Sequence, residues 1–352
     1  MGKYTSIGGQ ALIEGIMMKS PEKTALSVRT KDGSIDTELM ETKSIKDKIK
    51  IFKLPILRGI VGFVESMIQG YKAMMISADK SGFTDLEEEE KPKEEEITEE
   101  AEESEKTTAK TQEKSEKKDS VLINIIMIIG TVLGFALSIV LFMYIPRLVV
   151  SGLQMLFDTD FSKLTRSFIE QFIKLAAFVA YVWAVSFMKD IKRVFMYHGA
   201  EHKTIFCYEK GLDLTVENVR KQKRFHPRCG TSFMILMILI SVIISTVTQI
   251  IFPKVYSIAW LWVVVKILLV PITCGVGFEV LKMCGKYDNI ITRIISAPGL
   301  WLQRITTKEP EDDMIEIAIA ALKACEPKNP DVDRGCCSLC DETEENQISE
   351  EN

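Results

Sequence analysis

The chain is organised around the stretch Met196-Tyr-His-Gly-Ala-Glu-His-Lys-Thr-Ile-Phe-Cys207, together with the short segment Phe225-His-Pro-Arg-Cys229 that follows it. All three histidines of the chain, His198, His202 and His226, lie in these two segments. Long uncharged runs flank them on both sides. Residue types that bind metals are thus concentrated beside segments long enough to cross a bilayer, which indicates a metal site at a membrane surface.

The motif His198-Gly-Ala-Glu-His202 has the form H-x-x-E-H of the inverted zinc hydrolases. On a helix, residues four positions apart share a face, so both imidazoles can reach one ion with Glu201 beside them. A zinc ion with three protein ligands keeps one position for water, and Glu201 could then act as the general base. His226 and Cys229 are the nearest candidates for the third ligand, with Glu209 and Glu217 behind them. The alternative interpretation is that no metal binds here and that these polar side chains pack the basic loop against lipid headgroups.

Four apolar runs are long enough to cross a bilayer as helices, at residues 121–145, 168–188, 231–252 and 256–278. Lys266 lies near the middle of the fourth run, where it either pairs inside the protein or contacts a substrate. Residues 189–230 carry ten Lys and Arg, against three in 146–167 and one in 253–255. The positive-inside rule therefore predicts that the basic segment and both termini are cytoplasmic.

A straight continuation of the second run would place His198 about 15 Å beyond Met188, at the level of the headgroups. The cations around the cluster could hold an anionic substrate such as a lipid phosphate, and Arg228 is the catalytic candidate among them. A solvated cytoplasmic face would explain the same charges. The cations are Lys192, Arg193, Lys203, Arg220, Lys221, Lys223, Arg224 and Arg228.

Residues 1–41 are predicted to form a small β-rich unit, because apolar and polar residues alternate on both sides of Asp32-Gly33, a hairpin signal. Glu14 is the one charge in the apolar run before the hairpin, and it is either a solvent-facing strand residue or a site carboxylate. Residues 42–78 predict an amphipathic helical segment in the membrane interface or against other helices. Its polar stripe consists of Arg58, Glu65, Gln69 and Lys72.

The other boundaries follow from composition. Residues 79–119 are predicted to be a disordered acidic linker, since 85–119 hold 16 acids and 7 bases and almost no large apolar side chains. The membrane domain is assigned to 120–304, with the metal-site loop at 189–230. A C-terminal helix is expected within 305–325, opening at Glu311. A disordered tail follows at 326–352, and its cysteines, Cys336, Cys337 and Cys340, could bind a soft metal only with Cys325 or a second chain.

Several motifs resemble the YqhQ-like family of bacterial inner-membrane proteins, which are predicted metal-dependent enzymes. The motifs are Gly8-Gly-Gln-Ala-Leu-Ile-Glu-Gly-Ile-Met-Met18, Tyr197-His-Gly-Ala-Glu-His-Lys203, Leu214-Thr-Val-Glu-Asn218, His226-Pro-Arg-Cys-Gly-Thr-Ser-Phe233 and the helix opening at Glu311. The resemblance covers nearly the whole chain apart from the linker and the tail after Ala324. It implies a bacterial, multi-pass membrane protein and supplies no established reaction.

The sequence therefore predicts a mainly α membrane protein with about four transmembrane helices, amphipathic interfacial helices and a small N-terminal β-rich unit, in the bacterial inner membrane. The leading functional hypothesis is a hydrolase that depends on zinc or another divalent metal and acts at the cytoplasmic face. Its catalytic candidates are Glu201, Arg228 and Glu14. The alternative is a non-enzymatic scaffold or lipid-binding protein, and a weaker one is an oligomeric transporter. Membrane lipids and an anionic substrate are the expected partners, and nucleic acid is not.

Overall fold

The computed structural model describes residues 5, 7–40, 50–54, 56–83, 129–130, 132–227, 229–287 and 289–328. Most of the predicted linker, the candidate Arg228 and the cysteines of the tail lie outside these residues. The chain divides into two compact units, one formed by Met1–Glu89 with Val179–Asn352 and the other by Glu90–Phe178.

The described elements are four strands, a short 3₁₀ turn at Lys50–Lys53 and ten helices. The strands are β1 (Gly8–Leu12), β2 (Gly15–Lys19), β3 (Thr24–Arg29) and β4 (Ile35–Met40). The helices are α1 (Leu57–Ser81), α2 (Val132–Leu156), α3 (Lys163–Val185), α4 (Lys189–Glu209), α5 (Val216–Arg220), α6 (Gly230–Ile251), α7 (Pro253–Ser257), α8 (Ala259–Lys286), α9 (Ile290–Thr306) and α10 (Asp312–Cys325).

The strands form one antiparallel sheet in the order β1-β2-β3-β4, which confirms the predicted N-terminal β-rich unit. Gly33 has a positive φ of 84°, as the predicted turn at Asp32-Gly33 requires. Strand side chains alternate between faces. Ile16, Met18 and Ala25 belong to a core with residues of α4 and α10, whereas Leu26 and Val28 pack with Ala73 of α1.

Helix α1 packs against both the sheet and α8. Near its start, a Cβ on Gly59 would lie 3.1 Å from the Cα of Gly275 in α8, and the Arg58 guanidinium pairs with Glu279. Near its end, Ser77 Oγ donates to the Ile13 carbonyl. The helix continues to Ser81, so the first residues of the segment predicted as linker are helical.

Four described helices are long and apolar enough to cross a membrane, namely Val132–Leu156, Thr165–Val185, Gly230–Ile251 and Trp260–Leu281. This confirms the predicted number and is compatible with a membrane protein. The first helix extends past residue 145 to Leu156, because the residues after Arg147 are again apolar and the helix continues through Pro146 after a π turn at Val140–Tyr144. Residues 121–128 of the predicted run lie outside the described part of the chain.

The second apolar helix does not run straight into the histidine motif, so that expectation is wrong. Helix α3 ends at Val185, and the Ser186 hydroxyl donates to the Trp183 carbonyl at 2.6 Å, which closes its last turn. Met188 is extended, with φ −66° and ψ 136°, and α4 begins after it as a separate helix. Asp190 in the first turn of α4 favours a new start there.

Candidate metal centre

Helix α4 carries three polar residues of the predicted motif into the protein interior. His198, Glu201 and His202 are all buried, and the two imidazole rings lie 4.4 Å apart between centroids. The helical period places both histidines on one face, as predicted from their spacing. Tyr197 and Ala200 on the same helix are fully buried against the sheet and α10, which fixes the rotation of α4.

Cys229 completes a group of three donor atoms with these histidines. It is the N-cap residue of α6, and its Sγ lies 3.0 Å from His198 Nε2. One donor atom from each of His198, His202 and Cys229 lies within 4.8 Å of the other two. Two imidazole nitrogens and one thiol sulfur form a donor set that suits zinc.

Backbone carbonyls orient both imidazoles. His198 Nδ1 lies 2.9 Å from the Thr306 carbonyl, and His202 Nδ1 lies 2.5 Å from the Arg224 carbonyl. With Nδ1–H as the donor in each contact, Nε2 is the nitrogen of each ring that is left to bind a metal, and it offers a lone pair when the imidazole is neutral. His202 Nε2 is buried and has no hydrogen-bond partner among the described residues.

The free protein carries a polarised imidazole and thiol pair. Burial alone would lower the pKa of His198, but the negative charge and hydrogen bond of Cys229 outweigh it and raise that pKa to about 9. Burial would raise the pKa of Cys229, yet the positive charges of His198 and His202 hold it well below its usual range. The lowered pKa favours the thiolate of Cys229, which is the form that binds metals.

Glu201 lies beside the three donors without joining them. It is buried, and one oxygen of its carboxylate accepts a hydrogen bond from the Gly9 backbone N–H of β1. Its Oε2 has no hydrogen-bond partner within the described part of the chain. Burial raises the pKa of Glu201, while the neighbouring imidazole charges act in the opposite direction. Glu201 is thus a carboxylate with one free oxygen and a raised proton affinity.

Gly9 and Gly199 allow the backbone to approach the centre closely. A Cβ on Gly9 would lie 2.9 Å from the Glu201 carboxyl carbon. A Cβ on Gly199 would lie 2.0 Å from the Lys308 carbonyl oxygen, and the Lys308 N–H donates to the Phe195 carbonyl at 2.8 Å. The segment after α9 therefore lies directly on α4 at the histidine motif.

His226 lies outside the group of three donors. Its Nε2 is 3.6 Å from Glu209 Oε2, and its backbone forms two hydrogen bonds with the Gln303 amide, at 2.8 and 2.7 Å. Gln303 also donates to Ser232 Oγ at 2.9 Å. The hydrogen bonds of His226 therefore fix the segment that leads to Cys229. Of the two nearest candidates for the third ligand, the structure brings Cys229 to the other two histidines.

Glu14 lies in the tight turn between β1 and β2, where its φ is 50°. Its two oxygens accept hydrogen bonds from the Arg193 guanidinium, at 2.5 and 2.6 Å, and Tyr197 OH donates to it at 3.1 Å. Burial would raise the pKa of Glu14, but Arg193 outweighs this and lowers it. This carboxylate anchors the sheet to α4, and the structure does not bring it to the three donors.

Several of the predicted anion-binding cations are paired with acids. Lys203 is buried and contacts Glu309, which also accepts a hydrogen bond from Arg224 at 3.1 Å. Arg220 pairs with Asp312. These pairs connect the segment around the centre to the start of α10.

Sequence reasoning did not identify the carbonyls of Thr306 and Arg224 or the amide of Gln303. A backbone carbonyl has no sequence signature, and a single glutamine in an amphipathic stretch gives no signal of its own. Gly199, inside the motif itself, was the one residue that could have indicated a close backbone contact.

Two comparisons with known proteins give matches, and neither comes with a reaction. Residues 54–328 match the family described as "Protein of unknown function (DUF1385)". The chain is 34% identical over 313 residues to the uncharacterized protein YqhQ of Bacillus subtilis (strain 168), and the alignment covers 89% of each chain. No solved structure matches.

Proposed function

Because the chain belongs to the DUF1385 family, whose description states no reaction, and is similar to the uncharacterized YqhQ, we propose its function from the geometry of the centre. The proposal is a membrane enzyme that depends on zinc, or on a similar divalent metal, and hydrolyses its substrate. The observation that carries it is the convergence of His198, His202 and Cys229 on one buried point.

The surroundings of the donors favour a metal over simple core packing. A buried histidine in an ordinary core uses both ring nitrogens in hydrogen bonds, because an unpaired buried polar atom is costly. His202 instead has a bonded Nδ1, and its Nε2 meets no hydrogen-bond geometry with any described residue. His198 has its Nδ1 at a backbone carbonyl and its Nε2 at the Cys229 sulfur. The arrangement at His202, with Nδ1 held by a backbone carbonyl and Nε2 left over beside a sulfur, is typical of an imidazole that binds a metal.

Three protein ligands leave a tetrahedral ion one further position. A zinc ion held there would supply an acidified water and polarise a substrate carbonyl or phosphoryl group. Glu201 is the general base in this proposal, because its free Oε2 is buried beside the donors and is not one of them. The Gly9 N–H, bonded to the carboxylate, limits the rotation of Glu201.

A second candidate function uses the same residues without a metal. The contact of 3.0 Å between His198 Nε2 and Cys229 Sγ is also that of a histidine with a nucleophilic thiolate, and Cys229 lies at the start of the long helix α6. Stoichiometric bound metal would favour the hydrolase, and full activity in metal-free protein would favour the thiol nucleophile.

The proposed location is the inner membrane of a bacterium, with the centre and both termini on the cytoplasmic side. The excess of Lys and Arg in residues 189–230 supports this orientation. Membrane lipids are then its permanent partners. An anionic substrate remains part of the proposal, with Arg228 and the cations of that segment as its binding groups.

Glu201→Gln tests the catalytic role. Glutamine keeps the size of the side chain and an oxygen for the Gly9 N–H, so we expect metal content equal to wild type. It cannot accept a proton, so activity should fall by about 10²-fold or more. The measurements are elemental analysis of purified protein and complementation of a strain that lacks the gene.

The matched control is Glu209→Gln, which changes another buried carboxylate of the same helix, outside the donor group. It should retain metal and complement. Full complementation by a metal-loaded Glu201→Gln protein would remove Glu201 from the chemistry.

A further inference from the structure

Helix α9 has two opposite faces, and the described residues leave one of them uncovered. Its buried face, facing α6 and α4, consists of Thr292, Gly299, Leu302, Gln303 and Thr306. On the other face, large apolar side chains are exposed: Ile290 by 75%, Ile294 by 68%, Ile291 by 62% and Trp301 by 52%. At 100° per residue, Ile290, Ile294 and Trp301 fall within an arc of about 40°.

The position of α9 in the chain indicates what covers this face. Three residues, 287–289, separate it from α8, which contains the apolar candidate span Trp260–Leu281. Asn289 and Thr292 form a reciprocal capping box, so a new helix starts at Ile290, a few residues after the span. An exposed apolar face at this point of the chain lies where the span leaves the bilayer.

The composition of α9 fits the boundary between headgroups and acyl chains. It contains no Asp or Glu, and its charged residues are Arg293 and Arg304. Both arginines are exposed and lie at the border of the apolar face. Cationic residues beside an apolar stripe, with a tryptophan in the stripe, are typical of helices that lie in the interface.

The buried face of the same helix contacts the candidate metal centre. The Thr306 carbonyl lies 2.9 Å from His198 Nδ1, and Gln303 holds the backbone of His226. Gly299 allows close contact with Ser232 in the first turn of α6, since a Cβ there would lie 2.5 Å from the Ser232 Cβ. One rigid helix therefore connects the exposed apolar face to the supports of His198 and Cys229.

We propose that the Ile290, Ile294 and Trp301 face of α9 docks into the lipid bilayer interface and holds the centre at the membrane surface. This inference does not depend on the metal or on the reaction. It identifies a surface whose partner is the lipid itself, at the depth of the headgroups and the first part of the acyl chains.

The test uses the full chain in lipid nanodiscs, with Trp301 as the only tryptophan after Trp183→Phe, Trp260→Phe and Trp262→Phe. Lipids brominated near the headgroup should quench Trp301 by more than about half, and more than lipids brominated near the chain ends, because interfacial helices insert only about 5–10 Å. Aqueous iodide should quench it weakly. If the triple variant does not fold, the difference between wild type and Trp301→Phe gives the same quantity.

The control places a tryptophan at another exposed apolar position, Leu39→Trp in β4, in a background where Trp301 is also phenylalanine. Leu39 is 62% exposed on the sheet, so iodide and not brominated lipid should quench a tryptophan there. If iodide quenches Trp301 and brominated lipid does not, as expected for the control, the proposal is overturned. Protection of Trp301 from both quenchers would also overturn it, since a second protein copy would then cover the face.

Discussion

The double variant His198→Ala/His202→Ala is expected to lose its metal completely. Each substitution removes one of three donor atoms, and the remaining Cys229 sulfur cannot hold a zinc ion alone. Loss of a single supporting group around a metal typically costs 10–100-fold in affinity, and loss of two ligands costs far more. Metal content after dialysis should fall from about one ion per chain to below about 0.1, as measured by elemental analysis.

His226→Ala is the matched control for this variant, because it removes the third histidine of the chain and leaves the three donors intact. It should keep its metal, with some loss of stability from the packing of His226 against Phe206. Undiminished metal in the double variant would contradict the proposed centre. Complete loss in His226→Ala, with a folded protein, would assign His226 and not Cys229 as the third ligand.

Gly199→Ala is expected to have the largest effect on stability. The new Cβ would lie 2.0 Å from the Lys308 oxygen and 3.2 Å from its carbonyl carbon, so the backbone after α9 must move away from α4. That movement would break the Lys308–Phe195 hydrogen bond and displace the Thr306 carbonyl from His198. We expect the free energy of unfolding to fall by about 3 kcal/mol, the upper end for overpacking.

Thermal unfolding of purified protein in detergent measures this effect. The midpoint should fall by about 6 °C or more, given about 2–4 °C per kcal/mol in chains of this order of size. Gly152→Ala is the control, since its added Cβ would meet no described atom within 4 Å beyond its own stretch of helix, and alanine favours a helix. An unchanged midpoint in Gly199→Ala would show that α4 and the 307–310 segment are not in close contact.

The sequence could predict features that depend on local periodicity. Residues four positions apart lie on the same face of any helix, so the spacing of His198 and His202 predicts that their rings lie close together. In α4 they do. The four apolar helices follow from the length of the apolar runs, and the β3–β4 hairpin follows from Asp32-Gly33. The residues at which helices end were less predictable, since the end of α3 depends on Ser186 and on the extended conformation of Met188.

Contacts that depend on tertiary packing could not be predicted from the sequence. His226 and Cys229 are three residues apart and chemically suited to the same ion, and Gln303, 77 residues away from His226, decides which way the segment turns. The role of Glu14 could not be predicted from the sequence either. Its partner Arg193 is 179 residues away, so only the folded chain distinguishes an anchoring carboxylate from a catalytic one.

X-ray absorption spectroscopy of the zinc-loaded wild-type protein tests the central claim most directly, because it counts the sulfur and nitrogen atoms around the ion. A centre formed by His198, His202 and Cys229 predicts one sulfur at about 2.3 Å and two imidazole nitrogens at about 2.0 Å, with one lighter atom at the fourth position. The sulfur should disappear in Cys229→Ser. A zinc environment without sulfur in the wild-type protein, or failure to bind one zinc per chain, would contradict the account.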